Sequence, residues 1–167
     1  MPYDSARDLD RTDWLILGAL QANARLTMAE LAEKVSLSQS PCWRRVQLLE
    51  RAGFILGYRA QLDRSRLGLG VHGFVNLRME NHTPRTAASF ERQVVALPEV
   101  IACQNLSGQH DYQLEIVAAD HAGFARIVRE KIRSLPGVKG IYTSFTLEEV
   151  KAGGALPIPK RWRCCAR

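Results

Sequence analysis

The chain has 167 residues, 46% of them hydrophobic and 24% charged, with a formal net charge of +6. That size suits one domain or two small ones, and the composition is that of an ordinary globular protein rather than a disordered or fibrous one. No apolar run approaches the roughly 18 residues of a membrane span, and the polar opening up to Asp13 has no signal-peptide pattern, so a cytoplasmic protein with no membrane partner is expected.

The first predicted helix runs from about Asp10 to Asn23. Trp14, Ile16, Leu17 and Leu20 recur at helical spacing, and Asp10 and Asp13 sit in the first turn, where carboxylates complement the helix dipole. The second starts at Thr27, because Thr27-Met28-Ala29-Glu30 has the form of a capping box, and it sends Leu31, Ala32 and Val35 inward. After the tight connection Ser36-Leu37-Ser38-Gln39, a third helix opens at Ser40-Pro41, an N-cap followed by proline at the first helical position. It ends near Ala52, before Gly53. Cys42, Val46 and Leu49 should face its core, with Arg44, Gln47 and Arg51 on another face. Phe54 to Leu62 reads as extended, a short strand or wing, and completes a winged helix-turn-helix domain over residues 1–62. Residues 63–70 form a linker, with Leu67-Gly68-Leu69-Gly70 as its hinge.

Residues 71–150 read strand, helix, strand, strand, helix, strand. The predicted strands are Val71–Glu80, Val100–Ser107, Tyr112–Ala118 and Val138–Leu147; the helices start at Thr83-Pro84 and at Asp120. A weak echo supports a doubled β-α-β unit: Ala-Leu-Pro-Glu-Val ends at Val100 and Ser-Leu-Pro-Gly-Val at Val138. The expected fold is therefore α+β, an N-terminal helix-turn-helix plus a C-terminal ferredoxin-like βαββαβ sandwich. Such a sheet has helices on one face only, and dimerisation commonly buries the other.

Charge placement is more telling than its sum. Residues 151–167 form a basic C-terminal tail carrying Lys151, Lys160, Arg161, Arg163 and Arg167 with no acid, so residues 1–150 carry only +1. Residues 1–35 are net −2, whereas residues 36–60 are net +3, with Arg44, Arg45, Arg51 and Arg59 against Glu50. Positive charge thus gathers on one predicted helix, as a phosphate-contacting surface requires. Ser38, Gln39, Ser40, Trp43, Arg44 and Gln47 are placed to reach base edges of double-stranded DNA; arginine can read guanine and glutamine adenine through paired hydrogen bonds. Arg45 and Arg51 suit phosphates, which position without specifying. The plainer alternative is a solvated helix face, with Trp43 in the core.

The turn Ser107-Gly108-Gln109-His110-Asp111-Tyr112 is a second candidate. Asp111 could accept from a ligand ammonium, and exposed backbone N–H groups could hold a carboxylate; a hairpin turn with a polar cap is the plainer alternative. Nothing points to catalysis. His72, His82, His110 and His121 are scattered, and no phosphate loop, nucleophile elbow or zinc motif occurs. Cys42 and Cys103 read as buried thiols and Cys164-Cys165 as part of the tail; with no C-x-x-C spacing, neither a metal site nor a cofactor is expected.

Several of these segments resemble the Lrp/AsnC family of transcription regulators. They are Leu9-Asp10-Arg11-Thr12-Asp13, Ser40-Pro41-Cys42-Trp43-Arg44-Arg45-Val46 with Leu49 to Ile55, Gly57-Tyr58, the Gly108-x-x-Asp111-Tyr112 turn and Leu135-Pro136-Gly137-Val138. The likeness runs from about Leu9 to Pro159. It implies a winged helix joined to an α/β sandwich, a homodimer assembling into tetramers or octamers, and an amino-acid effector. By that resemblance Ser107, Gly108, Asp111 and Tyr112 become effector candidates, with Thr143 and Ser144 on the last strand as weaker ones. Trp43 and the ending through Leu156-Pro157-Ile158-Pro159 resemble a cysteine-responsive subgroup, which suggests cysteine as the ligand. Gln109-His110 depart from the acidic or aromatic pair of many relatives. Two further readings stand beside this one: a nucleoid-architectural protein, and a haem-pathway decarboxylase-like enzyme on the same fold.

Overall fold

A computed structural model describes residues 8–80 and 83–158. His82 and the tail residues Lys160, Arg161, Arg163, Cys164, Cys165 and Arg167 lie outside the described residues. The chain forms two compact units. One takes the residues up to Gln61 together with the segment from Lys151, the other Leu62–Val150.

The first unit is built on three helices: α1 (Arg11–Ala22), α2 (Met28–Lys34) and α3 (Gln39–Arg51). Reciprocal caps start the first two. The Asp13 N–H donates to Asp10 Oδ1 at 2.9 Å while the Asp10 N–H donates to Asp13 Oδ2 at 3.1 Å, and Thr27 and Glu30 do the same for α2. Between α2 and α3 the chain turns through Ser36, at φ +56°, and the Leu37 N–H donates back to Ala32 O at 2.9 Å. Ile16, Leu31, Ala32, Cys42, Val46 and Leu49 bury together, which fixes the α2–turn–α3 angle that a helix-turn-helix needs.

Two expectations fail here. The third helix begins at Gln39 with Ser38 as its cap, so Pro41 falls third in the helix rather than first. Proline is tolerated there because the first four helical N–H groups have no intrahelical partner anyway. The stretch Phe54–Leu62 forms no strand. A strand needs a partner edge, and the described part of this unit offers none.

The second unit is a four-stranded antiparallel sheet: β1 (Val71–Met79), β2 (Val100–Asn105), β3 (Tyr112–Ala118) and β4 (Val138–Phe145), in the order β2-β3-β1-β4. Helices α4 (Pro84–Val95) and α5 (His121–Ile127) cover one face, α5 running on into a π turn at Val128–Ile132. Val75, Leu77, Leu114 and Ile116 pack against Phe90, Val94, Phe124 and Ile132. Gly73 is required by the fold, since a Cβ there would sit 2.9 Å from the Phe124 ring. This is the ferredoxin-like sandwich expected.

The other sheet face lacks a helical cover. By register it carries His72, Phe74 and Asn76 of β1, Gln113 and Glu115 of β3, and Tyr142 and Ser144 of β4. Its polar groups pair across strands. Gln113 Nε2 donates to Asn76 Oδ1 at 3.0 Å, and His72 Nε2 lies 2.7 Å from Glu115 Oε1 with Nδ1 3.0 Å from Thr146 Oγ1.

Candidate functional site

The exposed side of α3 is the first candidate. Amphipathicity sorts the helix: Cys42, Val46 and Leu49 are buried, while Ser38, Gln39, Ser40, Trp43, Arg44 and Arg51 are exposed. Trp43 is 53% exposed, which settles its alternative reading as a core residue against the core. No hydrogen bond or ion pair to another described residue engages Arg44 or Arg51. Around Gln39, Ser40, Trp43 and Arg44 the surface dips into an open depression of about 380 Å³, with Met28 of α2 on its edge.

Arg45 departs from the phosphate role expected of it. Its Nη1 lies 2.7 Å from Asp10 Oδ2 and 2.7 Å from Asp13 Oδ1, and Asp13 is 1% exposed. Burial by itself would raise the Asp10 carboxyl, but the Asp13 N–H and the Arg45 guanidinium outweigh it and hold that carboxyl below its ordinary range. Arg45 thus clamps the start of α1 to the middle of α3. Gln47 also differs from a ready base reader: its Nε2 donates to Glu50 Oε2 at 2.8 Å, and Glu50 Oε1 accepts from Tyr58 Oη at 2.9 Å. Burial, then that bond to Glu50, push the Tyr58 phenol up to about 12. Of the residues expected to face DNA, Ser38, Gln39, Ser40, Trp43, Arg44 and Arg51 remain exposed and are not engaged by the contacts just described.

The turn between β2 and β3 is the second candidate. Gly108 has φ +138°, and a Cβ there would meet nothing within 4 Å, so its backbone stands open to solvent between the exposed residues Ser107 and Gln109. Asp111 is fixed behind them: its Oδ2 accepts from the Met79 N–H at 2.7 Å, and its own N–H donates to Leu77 O at 2.8 Å. Its carboxylate is thus also a structural tie to β1. Tyr112 is buried, its ring 4.5 Å from that of Phe90 and its hydroxyl donating to Glu91 Oε1 at 2.9 Å. Thr143 pairs with Val75 and shares its helix-covered face, whereas Ser144 pairs with Phe74 on the open face. Ser107, Gly108 and Asp111 are therefore together at one turn with Tyr112 next to it, its side chain buried, while Thr143 and Ser144 lie on β4 with their side chains on opposite faces of the sheet.

Sequence reasoning missed two features. His72 is joined to Glu115 and Thr146 on the open face, a pairing between residues 43 and 74 positions apart that no local pattern shows. The segment after Lys151 docks on the first unit: Gln21 Nε2 donates to Leu156 O, and the Leu156 N–H donates to Gln21 Oε1, both at 2.9 Å. Leu156 and Ile158 border an apolar groove of about 580 Å³ with Trp14, Leu17, Leu20 and Phe54. The apolar run Leu156-Pro157-Ile158 inside a basic stretch was the available signal.

Comparison with known proteins matches both units. Residues 9–55 match a winged helix-turn-helix DNA-binding model, and residues 72–156 match the model of the Lrp/AsnC ligand binding domain. The Bkd operon transcriptional regulator of Pseudomonas aeruginosa is 38% identical over 151 residues, spanning 90% of this chain and 99% of its own length. The leucine-responsive regulatory protein of Escherichia coli is 37% identical over 155 residues, spanning 93% and 94%. Among solved structures, a Neisseria meningitidis transcriptional regulator in complex with L-Met is similar at a TM-score of 0.84 and 38% identity, covering 89% of this chain and 96% of that one.

Proposed function

The chain belongs to the Lrp/AsnC family of DNA-binding transcriptional regulators, and on that premise we propose that it reads a specific operator through α3 and adjusts that binding to a small amino acid. Its relatives are transcriptional regulators, not enzymes, which retires the decarboxylase alternative. The observation that carries the DNA reading is Arg44, exposed on the first turns of α3 beside Trp43 and without a pairing partner among the described residues. Arg44 serves as a guanine reader, Gln39 and Ser40 as further base contacts, and Arg51 as a phosphate contact. Among the described residues no helix is long and apolar enough to cross a membrane, in keeping with work in the cytoplasm, where the DNA is.

The effector is an amino acid held at the Ser107–Asp111 turn. The open backbone at Gly108 suits a carboxylate and Asp111 an ammonium. Cysteine is the first ligand to try, on the subgroup resemblance. Methionine is the second, because the Neisseria neighbour was solved with it. A homodimer through the open sheet face, assembling further into tetramers or octamers, supplies the coupling: the ligand favours one assembly and so resets the spacing between recognition helices. The test is fluorescence anisotropy on DNA from upstream of the protein's own gene, at fixed salt, with each amino acid in turn. Binding that one amino acid shifts supports the reading. Binding that no amino acid shifts removes the sensing half, and no sequence preference at all removes the DNA half.

A further inference from the structure

We propose that Trp43 makes α3 a reader of thymine methyl groups, at a base step adjoining the guanine read by Arg44; this rests on the DNA-binding reading above. Of the apolar residues of α3, Cys42, Val46 and Leu49 are buried and Leu48 is partly buried, whereas Trp43, the largest of them, is 53% exposed. A half-exposed indole leaves apolar surface in water that contact with an apolar group would cover. Trp43 and Met28 give the depression of about 380 Å³ its apolar part, and Gln39, Ser40 and Arg44 give it polar walls.

The major groove presents one apolar group on a base edge, the C5 methyl of thymine. An apolar patch with a polar rim on a recognition helix is complementary to that methyl among neighbouring donors and acceptors. Trp43 and Arg44 are consecutive, and consecutive helical side chains diverge by about 100°. They cannot address one base edge together, so they address adjoining positions. Nε1–H of the indole can only donate, which adds a bond to a phosphate or a base acceptor without changing the preference for the methyl.

The experiment uses the full chain. Duplexes are selected from a random pool, and each thymine of the selected site is then replaced singly by deoxyuridine, which removes the methyl and nothing else. At fixed salt, at least one thymine per half-site is expected to lose about three- to tenfold in affinity on replacement. With Trp43→Ala that same replacement should have no effect, while Trp43→Phe, which keeps an apolar face, should retain part of it. Both variants are checked for an unchanged melting temperature. If the natural chain tolerates deoxyuridine at every thymine while still binding its selected site, the methyl reading is overturned and DNA recognition stands. If no sequence is enriched from the pool, DNA recognition itself fails.

Discussion

Arg45 reaches from the middle of α3 to the carboxylate of Asp13, 2.7 Å away and 1% exposed, at the first turn of α1. A charge that far from water must be paired. Removing the guanidinium takes away the cation paired with the Asp13 carboxylate, so Arg45→Ala should destabilise the first unit by about 1.5–3 kcal/mol. Chemical denaturation followed by tryptophan fluorescence measures this. No loss of stability would mean that Asp13 recruits water or another cation.

Arg44 is the neighbour with no such duty. Arg44→Ala should leave the denaturation midpoint where it is and weaken specific DNA binding by about 1–3 kcal/mol. That outcome would separate two consecutive arginines on one helix into a structural and a recognition role, and the two assays run on both variants form the check.

Asp10 gives the pH dependence its sign. Its carboxyl is held below its ordinary 3.8, so the ionised form is favoured in the fold. The stability it contributes is present above that value and is lost as pH falls through the lower, folded one. Asp10→Asn keeps the helix cap and removes the charge. The variant should be less stable than the natural chain at neutral pH, and the two should converge below about pH 3.8. A difference that persists undiminished in strong acid would contradict the assignment.

At the Ser107–Asp111 turn the structural tie made by Asp111 and its proposed part in binding an effector can be separated. Asp111→Ala removes both the carboxylate and the acceptor for the Met79 N–H, at about 1 kcal/mol for the lost bond. Asp111→Asn retains an acceptor oxygen and removes the charge. Loss of the amino-acid response in both, with DNA affinity in the absence of ligand unchanged, is expected if the charge meets the ligand ammonium. Response lost in Ala but kept in Asn would assign Asp111 to holding the turn.

The docked C-terminal segment makes a last prediction. Gln21→Ala removes both amide bonds to Leu156 and should cost the first unit about 0.5–1.5 kcal/mol. Truncation after Val150, which also strips Leu156 and Ile158 from the groove, should cost more. A thermal melt of each against the natural chain distinguishes them.

The elements that sequence reasoning located well are those governed by neighbours in the chain. Thr27 with Glu30, and Asp10 before Asp13, mark helix starts through contacts three residues apart, and alternation along Val71–Met79 marks a strand. Ser38 and Ser40 are both acceptable caps, so local chemistry could not choose between them, and the helix took the earlier one. The strand expected in Phe54–Leu62 is absent because a strand is a property of a pair. Gln47 reads as a base contact from its spacing on α3 and Arg45 as a phosphate contact from its charge; neither signal shows that Asp13, 32 positions from Arg45, and Glu50, three from Gln47, engage these side chains. Thr143 and Ser144 enter as candidates through the family resemblance, and as adjacent strand residues they face opposite ways.

Gln21 and Leu156 also impose an order of events. A ribosome works from the N-terminus, so α1, α2 and α3 emerge while Leu156 has yet to be made, and every residue of Leu62–Val150 must be translated in between. Throughout that interval Trp14, Leu17, Leu20 and Phe54 lack their last covering strip. The reading head of the molecule is begun first and completed last, and its sheet-bearing unit can finish folding before it does.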